Sequence, residues 1–591
     1  MQPPRFLALL GLGLLVPPGA LAAVDGLCPI IGAVLPAPTK PASHAAVQNA
    51  LADFRTAVEK IVGGLNRTAV SVAVKSIQEP DSLIELHHTP PTLDPRGVQK
   101  VDANSIYRLG SISKIFAALA VLKLDGVSFD DKVTKYLPEL RTLGDPTRAE
   151  DAVSRVEWDE ITLGALASHL SGIAADYAID FASFPGFNPT QRGLPPKKNI
   201  TDPGCAGIAG IRPCTEKDFF EGFGSRAPVF APFSAPAYSN IGSPLLSFVV
   251  ERLTNKSYAE FFQAAVLQPL GLNDTGMKKP EDSRGVIPLN DTWWSTDIGF
   301  EATAGGFYST LNDMLKFGDA VLSSKILSPA ATRKWFKPMT NTASLGMQLG
   351  APWEILRATN VTRDQRAIEI VTKGGDIFNY RSTLAMIPDY DLVLTVLLGG
   401  DSAEKGMSTA VPLIQAAAVK ILLPALEQAG KEQARATHAG TYRDEATNST
   451  AVLEVSDADA GPGIRVARLV VRGVDVIATY PAMRNMSPNP PAAGTLPPAR
   501  LRLYPATGVA SACRQAWRGV YSIGAPEQVA ADDALFPWLQ NRCVTWASTD
   551  RDVYGLQALD RFVFNTGKDA VTGSLEMPAY QVKMVRVAEG S

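Results

Sequence analysis

A serine and a lysine three residues apart are the first side chains with an evident chemical use. Ser111 and Lys114 lie in residues 108–122, where Lys114 is the only charge between Arg108 and Lys123. On a helix, residues three apart share a face, and a buried lysine is costly without a partner or a function. The spacing favours a nucleophilic serine at a helix N-terminus, activated by the lysine. For these four residues alone, a capping serine with a solvated lysine is the alternative.

Two later triplets make the pattern more specific. Tyr238 and Asn240 form a Y-x-N triplet on a turn before an apolar helix, and Lys373 begins a K-x-G triplet at the end of a strand. Each triplet alone is weak, since Tyr238 could be a core tyrosine and Lys373 a solvated strand residue. The order S-x-x-K, Y-x-N and K-x-G, with wide separations, is what distinguishes the set.

This set resembles the serine β-lactamase and penicillin-binding-protein family, in the branch of class C β-lactamases, DD-peptidases and esterases. The resemblance covers roughly residues 45 to 430. It implies a β-lactamase/transpeptidase-like fold. Beyond the catalytic triplets it includes five segments: 130–140, 167–172, 268–275, 304–313 and 382–388.

The resemblance also implies a role for each motif residue. Ser111 would be the acylated nucleophile, and Lys114 and Tyr238 would share a proton as the general base. A nearby cation lowers the pKa of a tyrosine, so this pair should titrate as a unit. Asn240 would hold Lys114 and the acyl side of the substrate. The backbone N–H groups of Ser111 and Asp376 would form the oxyanion hole.

The K-x-G triplet bears on the substrate class. Family members that process β-lactams or D-Ala-D-Ala peptides usually carry K-T-G, whose lysine and hydroxyl bind the substrate carboxylate. Here Gly374 stands in the threonine position between Lys373 and Gly375; we expect Lys373 to be a catalytic residue and Gly374 and Gly375 to bind substrate. The missing hydroxyl should disfavour a carboxylate by roughly 1–3 kcal/mol.

We therefore expect a serine hydrolase that hydrolyses or transfers the acyl groups of small esters or amides. A true β-lactamase or D-amino-acid peptidase is the first alternative. A non-catalytic secreted binding protein on the same scaffold is the second, although the intact motifs argue against it. The expected partner is in each case a small ester, amide or lactam molecule.

Other classes of chemistry have less support. There is no G-x-S-x-G elbow, which disfavours an α/β-hydrolase, and His169 is interpreted as a satisfied structural histidine. Five histidines and five cysteines are too few and too scattered for a zinc cluster, so we expect neither metal nor cofactor. A net charge of −3 with a pI near 6.1 does not indicate nucleic-acid binding.

The N-terminus predicts secretion. Arg5 precedes an apolar run over 6–16, two prolines and Ala20-Leu-Ala22, which is typical of a signal peptide spanning residues 1–22. The run is too short to span a membrane, and we expect no membrane association after cleavage. An extracellular glycoprotein is the expectation, with eight N-x-S/T sequons at Asn66, Asn199, Asn255, Asn273, Asn290, Asn360, Asn448 and Asn485.

Secretion also permits disulfides. Cys205 and Cys214 lie nine positions apart in a Gly/Pro-rich loop, and Cys513 and Cys543 lie thirty apart near the C-terminus. Proximity in the sequence predicts these two pairs and leaves Cys28 without an assigned partner.

Periodicity predicts an α+β domain over residues 23–430. An antiparallel sheet flanked by helices, with a helical subdomain over about 130–319, accounts for the pattern. The helical segments are 44–65 and 410–426, and the strand segments are 69–77, 82–87, 368–372, 382–387 and 392–398.

Helix signals vanish in the segment 431–591. Short alternating runs separated by turn clusters predict a small antiparallel barrel or sandwich there, with strands at 451–455, 466–471, 474–478, 501–504 and 582–587. This domain is either a lipocalin-like ligand barrel or a structural cover that lines one edge of the catalytic cleft. The oligomeric state is left open.

Overall fold

A computed structural model describes residues 28–143, 151, 153–177, 179–200, 202–484, 496–511, 513–524, 545–567 and 571–588. The signal peptide, Asn485 and Cys543 lie outside the described residues. The chain divides into two units. The larger unit consists of residues 31–362 and 366–434, and the C-terminal unit contains residues 363–365 and the residues from 435 onwards. We predicted a domain boundary after residue 430, whereas this division falls inside a helix that continues past that point.

The larger unit is built on an antiparallel eight-stranded sheet with the strand order β2-β1-β10-β9-β8-β7-β6-β5. A two-stranded ribbon, β3 with β4, forms a second sheet in this unit. The strands are β1 (Thr68–Ser76), β2 (Ile84–His88), β3 (Ile106–Arg108), β4 (Tyr308–Thr310), β5 (Thr340–Asn341), β6 (Met347–Leu349), β7 (Glu354–Ala358), β8 (Ile368–Ile377), β9 (Tyr380–Ile387) and β10 (Leu392–Gly400).

Helices cover both faces of this sheet. A 3₁₀ turn, Gly110–Ile112, precedes the second helix, and a π-helical stretch, Gln263–Leu267, separates the sixth from the seventh. The helices are α1 (Ala45–Val62), α2 (Ser113–Leu122), α3 (Leu163–Ala167), α4 (Glu216–Gly222), α5 (Gly242–Thr254), α6 (Tyr258–Phe262), α7 (Gln268–Leu270), α8 (Ala302–Gly305), α9 (Leu311–Leu322), α10 (Pro329–Trp335) and α11 (Met407–Thr437).

The two faces of the central strand β1 belong to two different hydrophobic cores. Successive side chains of a strand point to opposite faces of the sheet. Val70, Val72 and Val74 join the core that also contains buried residues of α1 and α11, whereas Ala69 and Ala73 join the core around α2. The β-lactamase/transpeptidase-like α+β fold expected from the sequence is therefore present, with the sheet as its middle layer.

Helix α11 is longer than predicted. The expected segment was 410–426, but the helix spans Met407–Thr437 and contains Pro412 and Pro424. Among the described residues it is the one helix whose length and composition would allow it to cross a membrane. Its buried face, including Ile414 and Leu422, packs in the core it shares with α1, as a core helix of a globular domain does.

The C-terminal unit contains an antiparallel barrel. Its sheet order is β12-β11-β21-β20-β19-β16-β15-β13-β14, and pairing of β12 with β13 closes the ring, which decides between the barrel and the sandwich. The strands are β11 (Gly440–Asp444), β12 (Ser449–Glu454), β13 (Ile464–Val471), β14 (Val474–Asp475), β15 (Ala499–Ser511), β16 (Arg514–Ile523), β17 (Val553–Tyr554), β18 (Gln557–Ala558), β19 (Arg561–Thr566), β20 (Thr572–Met577) and β21 (Val582–Arg586).

Two features of this unit differ from the sequence prediction. The predicted strand 474–478 is a strand only over Val474–Asp475, and α12 (Val476–Arg484) follows it; a second short helix is α13 (Thr545–Ser548). In α12 the buried residues include Val476 and Tyr480, four apart, which is the spacing of a helix face. The run was too short for its period to separate helix from strand.

Side chains fill the described part of the barrel. Trp517, Phe562, Phe564 and Met584 are all fully buried. The cavity recorded in this unit, lined in part by Tyr480, has a volume of about 70 Å³, whereas ligand pockets usually measure ~300–1,000 Å³. Within the described residues, these observations favour a structural role over a lipocalin-like ligand site.

The cysteines follow the sequence prediction in part. The disulfide Cys205–Cys214 is present. Cys513 carries a free, exposed thiol, so its predicted pairing with Cys543 was wrong. Cys28, left unassigned by the sequence, is disulfide-bonded. Proximity along the chain failed for Cys513 because pairing requires Cα atoms within about 4.4–6.8 Å, and the fold sets that distance.

Loss of the Cys205–Cys214 disulfide should destabilise the protein. Replacing both cysteines by serine is expected to lower the free energy of unfolding by roughly 2–4 kcal/mol, because the bond removes loop entropy from the unfolded chain. Denaturant unfolding measures the loss, with Cys513→Ser as the control in which the altered thiol is already free. Equal stability of the double variant and the control would contradict the prediction.

Six of the predicted sequons are exposed, as glycosylation requires. They are Asn66, Asn255, Asn273, Asn290, Asn360 and Asn448. Asn199 ends a 3₁₀ turn, Lys197–Asn199. Occupancy of these sites stays a prediction.

Candidate active site

Ser111 lies in the 3₁₀ turn immediately before α2, at the floor of a cleft. The turn is shaped by Gly110, whose φ of 55° lies in the left-handed region that favours glycine. A Cβ on Gly110 would lie 2.8 Å from the backbone nitrogen of Asp376, so the turn passes close against β8. This close approach brings the serine beside the strand that carries the K-x-G triplet.

Lys114 projects from the first turn of α2 towards Ser111. Its Nζ donates to Ser111 Oγ at 3.0 Å, to Asn240 Oδ1 at 2.7 Å and to the carbonyl oxygen of Ala304 at 2.9 Å. The residue is only 2% exposed. Burial lowers the pKa of Lys114 below its ordinary value; Tyr238 opposes this shift and the second ammonium of Lys373 adds to it.

Tyr238 contacts both Ser111 and the two lysines. Its hydroxyl donates to Ser111 Oγ at 2.7 Å, and its ring lies between two ammonium groups, 4.9 Å from Lys114 Nζ and 5.4 Å from Lys373 Nζ. Burial of the hydroxyl would raise the pKa of Tyr238, but the two positive charges outweigh it and hold this pKa below its usual value. Lys114 and Tyr238 therefore meet at Ser111 Oγ, and Lys373 of the third motif lies against the ring of Tyr238.

His169 supports Tyr238 from behind. The two rings stack with centroids 4.3 Å apart, and His169 Nδ1 accepts the backbone N–H of Ser239. Burial and the nearby Lys114 and Lys373 hold the pKa of His169 well below its ordinary value, so the ring is neutral. The structural interpretation of His169 agrees with these contacts, although its Nε2 is buried without a hydrogen-bond partner and is thus not fully satisfied.

Asn240 bridges the lysine to an acid that the sequence analysis did not single out. Its Oδ1 accepts from Lys114, as predicted, but its amide nitrogen donates to Asp176 Oδ1 at 2.5 Å. The amide nitrogen has a second N–H donor and Asn240 lines the cleft, so its contact with the acyl side of the substrate stays a prediction. Asp176 belongs to no recognised motif here, and only its contact with Asn240 identifies it.

The two N–H groups assigned to the oxyanion hole belong to neighbouring backbone segments. Gly374 directs its N–H away from β9, to the carboxylate of Glu354. Asp376, two residues further along β8, directs its N–H to the same edge, where the turn carrying Ser111 approaches. Gly375 lies between them, and its missing Cβ leaves room for the backbone of Leu109.

Lys373 has an acidic partner that the motifs did not reveal. Its Nζ lies 2.6 Å from Glu354 Oε1 and donates to the carbonyl oxygen of Gly374 at 2.9 Å. Burial would lower the pKa of Lys373, but Tyr238 and Glu354 outweigh burial and raise it. Glu354 begins β7 and no sequence motif marks it; the register that pairs it with Thr372 brings it to the triplet.

The cleft above Ser111 has a volume of about 690 Å³, within the range of small-molecule sites. All of its lining residues belong to the larger unit. Within the described residues, no group of three or more His, Cys, Asp or Glu side chains is arranged to hold a metal ion. The apolar part of the lining comprises Ile179, Trp293, Ile298, Ala304, Ile377, Phe378, Val411 and Pro412.

A fold of this kind with a Ser-Lys-Tyr centre defines a class of serine hydrolases, and sequence comparison identifies the family. Residues 81–418 match the family model Beta-lactamase, and residues 430–588 match the model Beta-lactamase-like-like, C-terminal domain. The first match covers more than half of the chain. The chain belongs to the beta-lactamase family of serine hydrolases.

Two curated relatives agree with this assignment, and one solved structure is similar in part. The chain is 31% identical to a beta-lactamase-like protein of Arthroderma benhamiae, over 93% of this chain and 94% of that protein. It is 25% identical to the probable hydrolase clz13 of Cochliobolus lunatus, over 69% and 68% of the two chains. A solved D-stereospecific amidohydrolase from Streptomyces sp. is 22% identical, with a TM-score of 0.45 over 63% of this chain and 98% of that one.

Proposed function

We propose that the protein is a secreted serine hydrolase that forms an acyl-enzyme on Ser111. Its substrates are small esters or amides with uncharged, largely apolar acyl groups, which it hydrolyses or transfers. The observation that carries the proposal is that Tyr238 OH and Lys114 Nζ both contact Ser111 Oγ, at 2.7 and 3.0 Å. Secretion rests on the sequence of residues 1–22 and on the sequons.

Acylation follows from these contacts. Ser111 Oγ attacks the acyl carbon as its proton passes to the phenolate oxygen of Tyr238, whose pKa the charges of Lys114 and Lys373 hold below its ordinary value. The carbonyl oxygen becomes an oxyanion and accepts the N–H groups of Ser111 and Asp376. The carbon–oxygen or carbon–nitrogen bond then breaks, and Tyr238 returns the proton to the leaving alcohol or amine.

Deacylation uses the same groups in the reverse sense. A water molecule, or an acceptor alcohol or amine, gives its proton to Tyr238 and attacks the acyl carbon. Ser111 Oγ leaves and takes the proton back, which releases an acid or the transfer product. Lys114, held by Asn240, lies beside Tyr238 and shares the transferred proton with it.

The lining of the cleft supports apolar acyl groups. Trp293 and Phe378 stack with centroids 3.7 Å apart, and both line the cleft. Aromatic and aliphatic walls stabilise a bound alkyl or aryl group by about 25 cal/mol per Å² of apolar surface removed from water. Ile298 and Ile377 extend this apolar surface.

A direct rate comparison tests the substrate class. We expect kcat/KM for a short-chain p-nitrophenyl ester to exceed that for a chromogenic cephalosporin by about tenfold or more, because a site without a carboxylate partner disfavours the lactam by roughly 1–3 kcal/mol. Stopped-flow or plate absorbance with purified protein measures both rates. Faster turnover of the cephalosporin would replace the proposal by a true β-lactamase or D-peptidase.

The non-catalytic alternative is tested in the same preparation. A fluorophosphonate probe should label the protein, and mass spectrometry of the digested protein should place the adduct on the peptide that contains Ser111. An unlabelled protein that turns over neither substrate would favour a binding protein on this scaffold.

A further inference from the structure

Glu354 holds the two groups that would otherwise bind an anion at one end of the cleft. Its Oε1 lies 2.6 Å from Lys373 Nζ, and its Oε2 accepts the N–H of Gly374 at 2.9 Å. Lys373 and Glu354 both line the cleft, but the side chain of Lys373 is only 1% exposed, whereas that of Glu354 is 27% exposed. Of the two charged groups, a substrate in the cleft therefore meets mainly the carboxylate.

An ammonium beside a backbone N–H is a binding site for a carboxylate. Here both donors already serve an internal carboxylate through charge-assisted hydrogen bonds. A substrate carboxylate would have to displace Glu354 or lie against it, and two like charges at close range repel strongly where water is excluded. The subsite is thus already occupied by the carboxylate of Glu354.

The glycine of the triplet contacts this carboxylate. A Cβ at position 374 would lie 3.4 Å from Glu354 Oε2 and would have no other heavy atom within 4 Å. A Cβ there would make ordinary van der Waals contact with the carboxylate, and the surrounding space is otherwise open. Gly374 contributes to the anion subsite through its N–H, which Glu354 Oε2 accepts.

We propose that Glu354 is a built-in carboxylate that occupies the anion subsite formed by Lys373 and Gly374, and that it selects uncharged acyl donors. This inference rests on the proposed function and names the residue that sets the substrate class. Glu354 acts by closing the subsite and takes no part in bond making or breaking.

The test compares two acyl donors of equal chain length, p-nitrophenyl valerate and mono-p-nitrophenyl glutarate. Both carry five acyl carbons, but the glutarate ends in a carboxylate. In Glu354→Gln the ratio of kcat/KM for glutarate to that for valerate should rise by about tenfold or more, because Lys373 loses its anion and can bind the substrate's carboxylate. Rates are corrected for spontaneous hydrolysis, which the neighbouring carboxylate of the glutarate accelerates.

Glu369→Gln is the matched control. Glu369 lies on β8, the strand of Lys373, and its recorded ion pair is with Arg357 at 3.9 Å. The control removes the same charge from the same sheet, so it should leave the ratio unchanged. A general loss of structure in Glu354→Gln would lower both rates together and would also leave the ratio unchanged.

Inhibitor binding provides a measurement that does not depend on turnover. Phenylboronic acid and 3-carboxyphenylboronic acid both form adducts with a nucleophilic serine, and the preference for the carboxylated compound should rise in Glu354→Gln and Glu354→Ala. An unchanged preference in both variants, with valerate turnover intact in the parent protein, overturns the inference and leaves the proposed function standing. A parent protein without turnover of either ester overturns the proposed function and the inference with it.

Discussion

Ser111→Ala is expected to lower kcat/KM for the preferred ester by about 10⁴-fold or more, with no loss of the fold. The substitution removes the one oxygen on which Lys114 and Tyr238 converge, so no acyl-enzyme can form. It removes a single hydroxyl from a half-buried position at the cleft floor and leaves the packing of α2 unchanged. Steady-state rates and thermal unfolding measure the two effects separately.

Intact-protein mass spectrometry adds the covalent evidence. After a short reaction with an activated ester, the parent protein should carry one acyl group and Ser111→Ala none. Ser225→Ala is the control, because Ser225 is an exposed serine at the end of a 3₁₀ turn. Turnover that survived in Ser111→Ala would remove the assignment of the nucleophile.

Lys114→Ala and Tyr238→Phe should each reduce the acylation rate by about 10²–10⁴-fold, the usual contribution of a general base. The double variant should be little worse than either single variant, because the two side chains share one proton and act as a unit. Pre-steady-state release of p-nitrophenol measures acylation directly. Losses that multiply in the double variant would mean that the residues act independently.

A surface pair offers the matched control for this cycle. Lys135 Nζ lies 4.9 Å from the ring centroid of Tyr136, the same separation as for Lys114 and Tyr238. Lys135→Ala and Tyr136→Phe remove the same groups from outside the cleft, so acylation should be unchanged.

The pH dependence of acylation should be set by the titration of Lys114 and Tyr238. The base must be deprotonated, so kcat/KM should fall as the pH falls through the pKa of the pair. Because the pKa values of Lys114 and Tyr238 both lie below their ordinary values near 10, this acid limb should lie below pH ~10. Tyr238→Phe should shift or remove the limb.

Much of the fold could be predicted from periodicity. The segments 69–77, 368–372 and 392–398 fall within or overlap β1, β8 and β10, because a strand with both faces buried has a distinctive run of branched apolar residues. Closure of the C-terminal barrel could not be predicted, since it depends on pairing of β12 with β13 across the sheet. Helix α12 was missed because the run is too short for its period to separate a helix from a strand.

In the candidate site, sequence patterns indicated the residues that belong to recognised motifs. Ser111 and Lys114 lie three residues apart, so their spacing indicates a shared helical face, and the two later motifs were needed to favour a buried lysine over a solvated one; the structure has Lys114 buried and in contact with Ser111. The order of the motifs then indicated Tyr238, Asn240 and Lys373 through the family resemblance. Hydrogen bonds and ring contacts join these five residues in the structure.

Only the tertiary structure could show what surrounds those residues. Glu354 precedes Lys373 by 19 positions and meets it because β7 and β8 pair in one particular register. Asp176 and His169 reach Asn240 and Tyr238 through packing of loops against α5, which no local spacing encodes. A short-range pattern depends on the geometry of one helix or strand, whereas contacts between elements depend on register and packing that many distant residues determine together. The chemistry at Ser111 could thus be predicted from the sequence, whereas the position of Glu354 in the anion subsite could be found only from the tertiary structure.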